Sequence, residues 1–325
     1  MITLEPQRDD GVPRGAVVGV HRPAPDIRPT TFLTGCRILS GVLSISQTVD
    51  LEAEAARHKV ALARTPGLFL VRTALAGAYI GIGVLIMLTA GGPLKVTGSP
   101  WAPLVQGLVF GVALTIVVVA GAELATSAMM ILTQGVWRRT VAPGRAALVL
   151  LAVLGGNLIG SAAFAGMVHF SGVLAPGTAG GDALAAMIEH KAQATVPELF
   201  FRGIGCNLLV CLAVWCAGRL ESEGARIAVI FACVMVFITS GFEHVVANMT
   251  TFSLGLFGTL PHATVAEFAR NVLWVGLGNL AGGGLRVGAA YAMGTRPSVA
   301  SAAPAPGAAH DEPEAAEPAL ADTAR

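Results

Sequence analysis

From Leu68 onward the chain stops mixing polar and apolar residues and runs in long apolar stretches separated by short polar breaks. Six can be marked: Leu68 to Ala90, Trp101 to Gln134, Ala146 to Phe170, Leu199 to Ala217, Ile227 to Phe257 and Asn271 to Met293. About 20 apolar residues cross the hydrocarbon of a bilayer, so the pattern predicts an all-α membrane domain of six transmembrane helices over residues 67–296. The second and fifth stretches are longer than one crossing needs, and both carry ionisable residues near their middle. That combination predicts interrupted helices with an unwound centre.

The flanks read differently. Residues 1–45 are rich in Pro, Arg, Gly and Asp without any sustained period, which predicts a disordered cytoplasmic extension. Met1 to Asp10 lacks the basic-then-apolar order of a signal peptide. Over residues 46–66 a helical pattern emerges, with Val49, Leu51, Ala55, Val60 and Leu62 set among Glu52, Glu54, Arg57 and Lys59. It is too charged to span and predicts an interfacial helix. Residues 297–325, full of Ala, Pro and Glu, predict a disordered cytoplasmic tail.

A weak internal repeat runs through the domain. Gly121-Ala122-Glu123 is echoed by Gly241-Phe242-Glu243, and Gly156-Asn157-Leu158 by Gly278-Asn279-Leu280. Three helices per half place the second half upside down relative to the first. Inverted repeats with helices 2 and 5 interrupted put a solute site near the bilayer midplane.

Composition agrees with lipid as the solvent: 54% of the 325 residues are hydrophobic and 13% charged, and 40 glycines allow helices to approach closely. A net charge of +1 argues against a nucleic-acid partner. Cys206, Cys211 and Cys216 recur every five residues, so their sulfurs diverge around a helix; no metal site and no cofactor is expected. Lys and Arg concentrate in the loops that share a side with the N-terminus: Arg57, Lys59, Arg64, Arg138, Arg139, Arg145, Arg219, Arg226 and Arg296, against Lys95, Lys191, Arg202 and Arg270 opposite. Both termini are therefore expected in the cytoplasm.

Ionisable groups in mid-membrane cost roughly 2.5 kcal/mol or more each and mark function. Here they are Glu123, Glu243 and His244, with Thr126 and Asn248 as polar neighbours. Glu123 and Glu243 are expected to be structural, their carboxylates accepting from backbone N–H groups freed at the breaks. His244 is the expected functional group. An enzymatic reading fares poorly: neighbouring residues on a helix point about 100° apart, and no nucleophile elbow or His-Glu-x-x-His motif lies in a span.

Several ordered motifs then become legible together: Gly77-Ala78-Tyr79-Ile80-Gly81, Gly121-Ala122-Glu123-Leu124-Ala125-Thr126, Gly241-Phe242-Glu243-His244-Val245-Val246-Ala247-Asn248-Met249, and Gly278-Asn279. Over Leu68 to Met293 the chain resembles the formate/nitrite transporter family. The stretches from Lys191 to Trp215, from Ala247 to Thr250 and from Asn271 to Val275 are similar to its nitrite-channel branch. The resemblance implies an aquaporin-like fold, a multi-pass protein of a bacterial inner membrane, and a homopentamer with one pore per protomer. It implies His244 as the central pore histidine, Thr126 in the loop that interrupts helix 2, Lys191 as an anion-attracting vestibule lysine, and Asn207 and Asn248 as polar residues of the pore region. Phe110, Leu114, Leu124, Val210 and Phe237 fall at its apolar constrictions. Two positions depart from it: Ala125 stands where the family usually has Phe, and Arg286 lies in an otherwise apolar helix. For Arg286 the expectation is snorkelling to the cytoplasmic surface, with a contact between protomers as the alternative.

The expected substrate is a small weak-acid anion, nitrite first, with formate or hydrosulfide as the alternative. Stripping a bare anion costs of order 20 kcal/mol in the ideal case and still several after relaxation. Protonating nitrite or formate at neutral pH costs about 4–5 kcal/mol, at roughly 1.36 kcal/mol per pK unit. The costs are comparable, so His244 is expected to supply a proton or a hydrogen bond as the anion crosses.

Overall fold

The computed structural model describes residues 42–296. Nearly all of the predicted extension 1–45 and the whole tail 297–325 lie outside the described residues. Among those described the fold is all-helical, with one isolated bridge between Val42 and Leu220.

Helix α1 (Ile45–Leu62) is the amphipathic segment of the sequence reading; Ser44 and Gln47 form its capping box. Then come α2 (Pro66–Val96), α3 (Ala102–Val119), α4 (Ala125–Trp137), α5 (Pro143–Ser171), α6 (Ala179–Gln193), α7 (Val196–Arg219), α8 (Glu223–Thr239), α9 (Val245–Phe257) and α10 (Val265–Asn279). A π-helical stretch, π1 (Leu280–Ala289), and a last turn, α11 (Ala290–Met293), continue α10. Helices α2, α3, α5 and α7 are long and apolar enough to cross a membrane, and α9 is a shorter apolar helix.

The predicted interruptions are present. The second apolar stretch divides into α3 and α4, and the fifth into α8 and α9. Each first segment ends at a glycine in the left-handed region, Gly121 or Gly241, both with φ of 70°. After each glycine an N–H reaches back five residues: Ala122 donates to the Val117 carbonyl and Phe242 to the Phe237 carbonyl, each at 3.0 Å. This helix-terminating motif needs φ > 0 at its turn, and glycine adopts it without a Cβ clash.

Packing follows the same duplication. Helix α2 lies against α3 and α5, while α7 lies against α8, α10 and π1. The interfaces are built on small residues. A Cβ on Gly160 would sit 1.7 Å from the Ala74 carbonyl oxygen, and one on Gly282 would sit 2.3 Å from that of Ile204. The halves then exchange their short helices: α4 packs on π1 and α9 on α5.

Helix α6 and the π-helical form of π1 were not anticipated. Helix α6 buries Ala183, Leu184, Ile188 and Lys191 on one face and is capped by Thr178, whose hydroxyl accepts from the Gly181 N–H at 3.0 Å. The pattern of that face was readable in the sequence, but the segment is too short and too charged to stand out among spans. Arg286, on π1, is exposed and forms no ion pair among the described residues.

Candidate functional site

The two breaks meet among buried residues. His244 is the N-cap residue of α9 and Thr126 lies in the first turn of α4. The imidazole Nε2 is 3.1 Å from Thr126 Oγ1, and both residues are buried. The second ring nitrogen settles the tautomer. Nδ1 accepts the Ala247 N–H at 3.2 Å, so it carries no proton and Nε2 is the N–H that donates to Thr126. The positive ends of two helix dipoles, from α4 and α9, thus face one buried point.

The carboxylates behave differently from the sequence expectation. They do not accept from the N–H groups freed at the breaks. Two asparagines do so, because an amide both accepts and donates. Asn157 Oδ1 accepts the Ala125 N–H at 2.9 Å, while its Nδ2 donates to the carbonyls of Glu123 and Thr73, both at 2.8 Å. Asn279 repeats the arrangement: its Oδ1 accepts the Val245 N–H at 2.9 Å, and its Nδ2 donates to the carbonyls of Glu243 at 2.9 Å and Gly203 at 2.8 Å. The backbone N–H groups of Glu123 and Glu243 donate to the Arg72 and Arg202 carbonyls.

The freed carboxylates pair with lysines. Lys191 Nζ donates to Glu243 Oε2 at 2.5 Å, and Asn248 Nδ2 donates to the same oxygen at 2.7 Å. Asn248 also donates to Asn271 Oδ1 at 2.7 Å. On the other break, Lys59 of α1 pairs with Glu123. Sequence reasoning missed Lys59 in this role. A signal existed: His58-Lys59 and His190-Lys191 are the same dipeptide, one in each half.

Each ion pair borders a cavity. One, of about 360 Å3, is lined by Lys191, Glu243, His244, Asn248, Phe110 and Phe237 among others. The other, of about 470 Å3, is lined by His58, Lys59, Arg72 and Glu123. Phe110 and Phe237 meet edge to face with centroids 6.0 Å apart, and the Phe237 ring stacks at 6.1 Å on His244. Of the remaining expected constriction residues, Leu114, Leu124 and Val210 are buried. Asn207 is engaged with the main chain: its Nδ2 lies 3.1 Å from the Thr126 carbonyl and 2.7 Å from that of Asn279, tying α7 to both halves. Ala125 is fully buried at the start of α4. The described residues hold no group of His, Cys, Asp and Glu suited to a metal.

Residues 46–293 match the formate/nitrite transporter family. The chain belongs to this family. It is 42% identical over 266 residues to the nitrite transporter NirC of Salmonella typhimurium, a match that covers 81% of this chain and 95% of NirC. Among solved structures it is similar to an FNT family ion channel, with a TM-score of 0.73, 39% identity and coverage of 77% and 99%. It is also similar to a pentameric formate channel with formate bound, with a TM-score of 0.61, 28% identity and coverage of 71% and 97%.

Proposed function

We propose that this family member passes nitrite across a bacterial inner membrane, through a pore in each protomer of a homopentamer. The observation that carries the reading is the buried His244–Thr126 contact, set where two half-helices begin, with a lysine-bearing cavity on either side. Nitrite rather than formate is favoured because the nitrite transporter is 42% identical and a formate channel of Escherichia coli 35%. Formate is the second reading, supported by the formate held in the pentameric formate channel.

In this reading the six spans are α2, α3 with α4, α5, α7, α8 with α9, and α10 with π1 and α11, arranged as two inverted repeats. Both termini are cytoplasmic, and α1 lies at the cytoplasmic interface. The Lys191 cavity is the outer vestibule and the Lys59 cavity the inner one. Lysines and helix N-termini draw the anion in, and the apolar rings around Phe110 and Phe237 strip its water.

The cap on His244 constrains the chemistry that follows. With Nδ1 accepting from Ala247, the ring holds one proton, on Nε2. Giving that proton away would leave an imidazolate, so this state offers the anion a hydrogen bond, shared with the Thr126 hydroxyl. Full proton transfer requires Nδ1 to be protonated first. The ring must then release the Ala247 N–H, since two donors cannot face each other. The anion accepts the Nε2 proton, passes the apolar constriction as the neutral acid, and gives the proton up to water beyond it.

The experiment is flux of nitrite and of formate through purified protein in liposomes, followed across pH. Nitrite flux well above formate flux is the expected result. Absence of both would remove the reading.

A further inference from the structure

The cavity above His244 is much larger than its supposed passenger. It encloses about 360 Å3, whereas a water molecule occupies about 30 Å3 of liquid and nitrite has three heavy atoms. Ligand pockets for organic molecules begin at about this size.

Its lining divides by chemistry. Met87, Met187 and Phe242 form an apolar wall, and Phe110 with Phe237 closes the floor. Lys95 and His190, both exposed, stand with Lys191 on the polar side. Two ammonium groups against the single carboxylate of Glu243 leave one positive charge uncompensated. Lys191 holds that carboxylate, and Lys95 forms no ion pair among the described residues. The uncompensated charge is therefore accessible at the rim, beside a greasy wall.

We propose that this vestibule is a binding site for organic sulfonates carrying an apolar tail, which occupy it and block the pore without crossing. The sulfonate head sits by Lys95 and Lys191, and the tail lies along Met87, Met187 and Phe242. This rests on reading the cavity as a mouth of the pore. Nitrite has no tail, so only charge retains it and it exchanges freely. Each methylene buried against the wall strengthens binding about fourfold. A sulfonate stays ionised at physiological pH, so no proton from His244 can carry it onward.

The test uses methane-, ethane-, propane- and butanesulfonate against the full-length protein. Inhibition of nitrite flux in liposomes is read beside calorimetric titration of the purified protein in detergent. The half-inhibitory concentration and the dissociation constant are expected to fall about threefold to fourfold per added methylene. Met187→Ser is expected to pass nitrite normally yet bind butanesulfonate about tenfold more weakly, with methanesulfonate unchanged. Potency independent of tail length, or a Met187→Ser protein blocked as strongly as the parent, would overturn the proposal. The two readings fail separately: a protein that passes no nitrite refutes the transport reading, while the titration still judges the site.

Discussion

The imidazole of His244 and the hydroxyl of Thr126 stand 118 residues apart in sequence and 3.1 Å apart in space. One belongs to the first turn of α4 and the other caps α9, so the contact exists only when both breaks are formed and the halves are docked. Replacing His244 with Ala removes the proton carrier of the proposed mechanism while leaving the asparagine bonds at both breaks. Nitrite flux in liposomes should then lose its dependence on pH between about 5 and 8, with the oligomer intact by size-exclusion chromatography. Undiminished pH-coupled uptake would remove His244 from the mechanism. Thr126→Val, which leaves the buried Nε2–H without an acceptor, should cost about 1–3 kcal/mol of stability.

Asn157 and Asn279 each hold an N–H and two carbonyls that would otherwise be orphaned in an apolar interior. An unmet buried polar group costs about 1–3 kcal/mol. Asn279→Ala should therefore lower the thermal unfolding midpoint more than any single change at the lipid-facing surface. Asn279→Leu should not rescue it, because size is not what is lost. A midpoint equal to the parent protein's would show that water or a neighbouring group takes over.

Lys191→Ala confounds two effects, because Glu243 is buried and loses its cation. Breaking such a pair costs about 3–5 kcal/mol. The double variant Lys191→Met, Glu243→Gln removes both charges and should recover most of that stability. Its half-saturation concentration for nitrite should nonetheless rise severalfold, measured by initial uptake rates. An unchanged half-saturation would count against a vestibule role for the lysine.

Glu52, on α1, predicts a pH effect outside the spans. Burial pushes its carboxyl from the ordinary 4.5 up to about 7, with Lys59 opposing. The folded state therefore holds a proton that the unfolded chain releases. Stability from this group is full below about pH 4.5, declines as pH rises, and is lost above about 7. At 1.36 kcal/mol per unit the span is roughly 3 kcal/mol. Glu52→Gln should raise the unfolding midpoint at pH 8 and leave it unchanged at pH 4.5, in a thermal scan across pH. Equal shifts at both values would refute the titration.

Length and apolarity marked the six stretches because a bilayer imposes both on any spanning helix, and excess length with ionisable residues in mid-stretch marked the two interruptions. The roles within the breaks were less legible. Glu123 and Glu243 lie beside the freed N–H groups in sequence, and proximity suggested capping. The asparagines that do the capping come from α5 and α10, more than thirty residues away. Lys59 stayed hidden for the same reason: its partner Glu123 is 64 residues distant, and only the repeated His-Lys dipeptide hinted at it. Helix α6 was overlooked because a capped amphipathic helix of 15 residues competes poorly with its neighbours for notice.

The asparagine bonds have a further consequence. Every bond made by the Asn157 side chain stays within the first half, and every bond made by the Asn279 side chain stays within the second. Each half can therefore shape its own break before meeting its counterpart. What neither half owns is the junction itself: the imidazole, the hydroxyl and the Asn207 amide meet only across the seam. The bonds that shape each break are thus separate from those that join the breaks, so a substitution can disturb one set and leave the other in place.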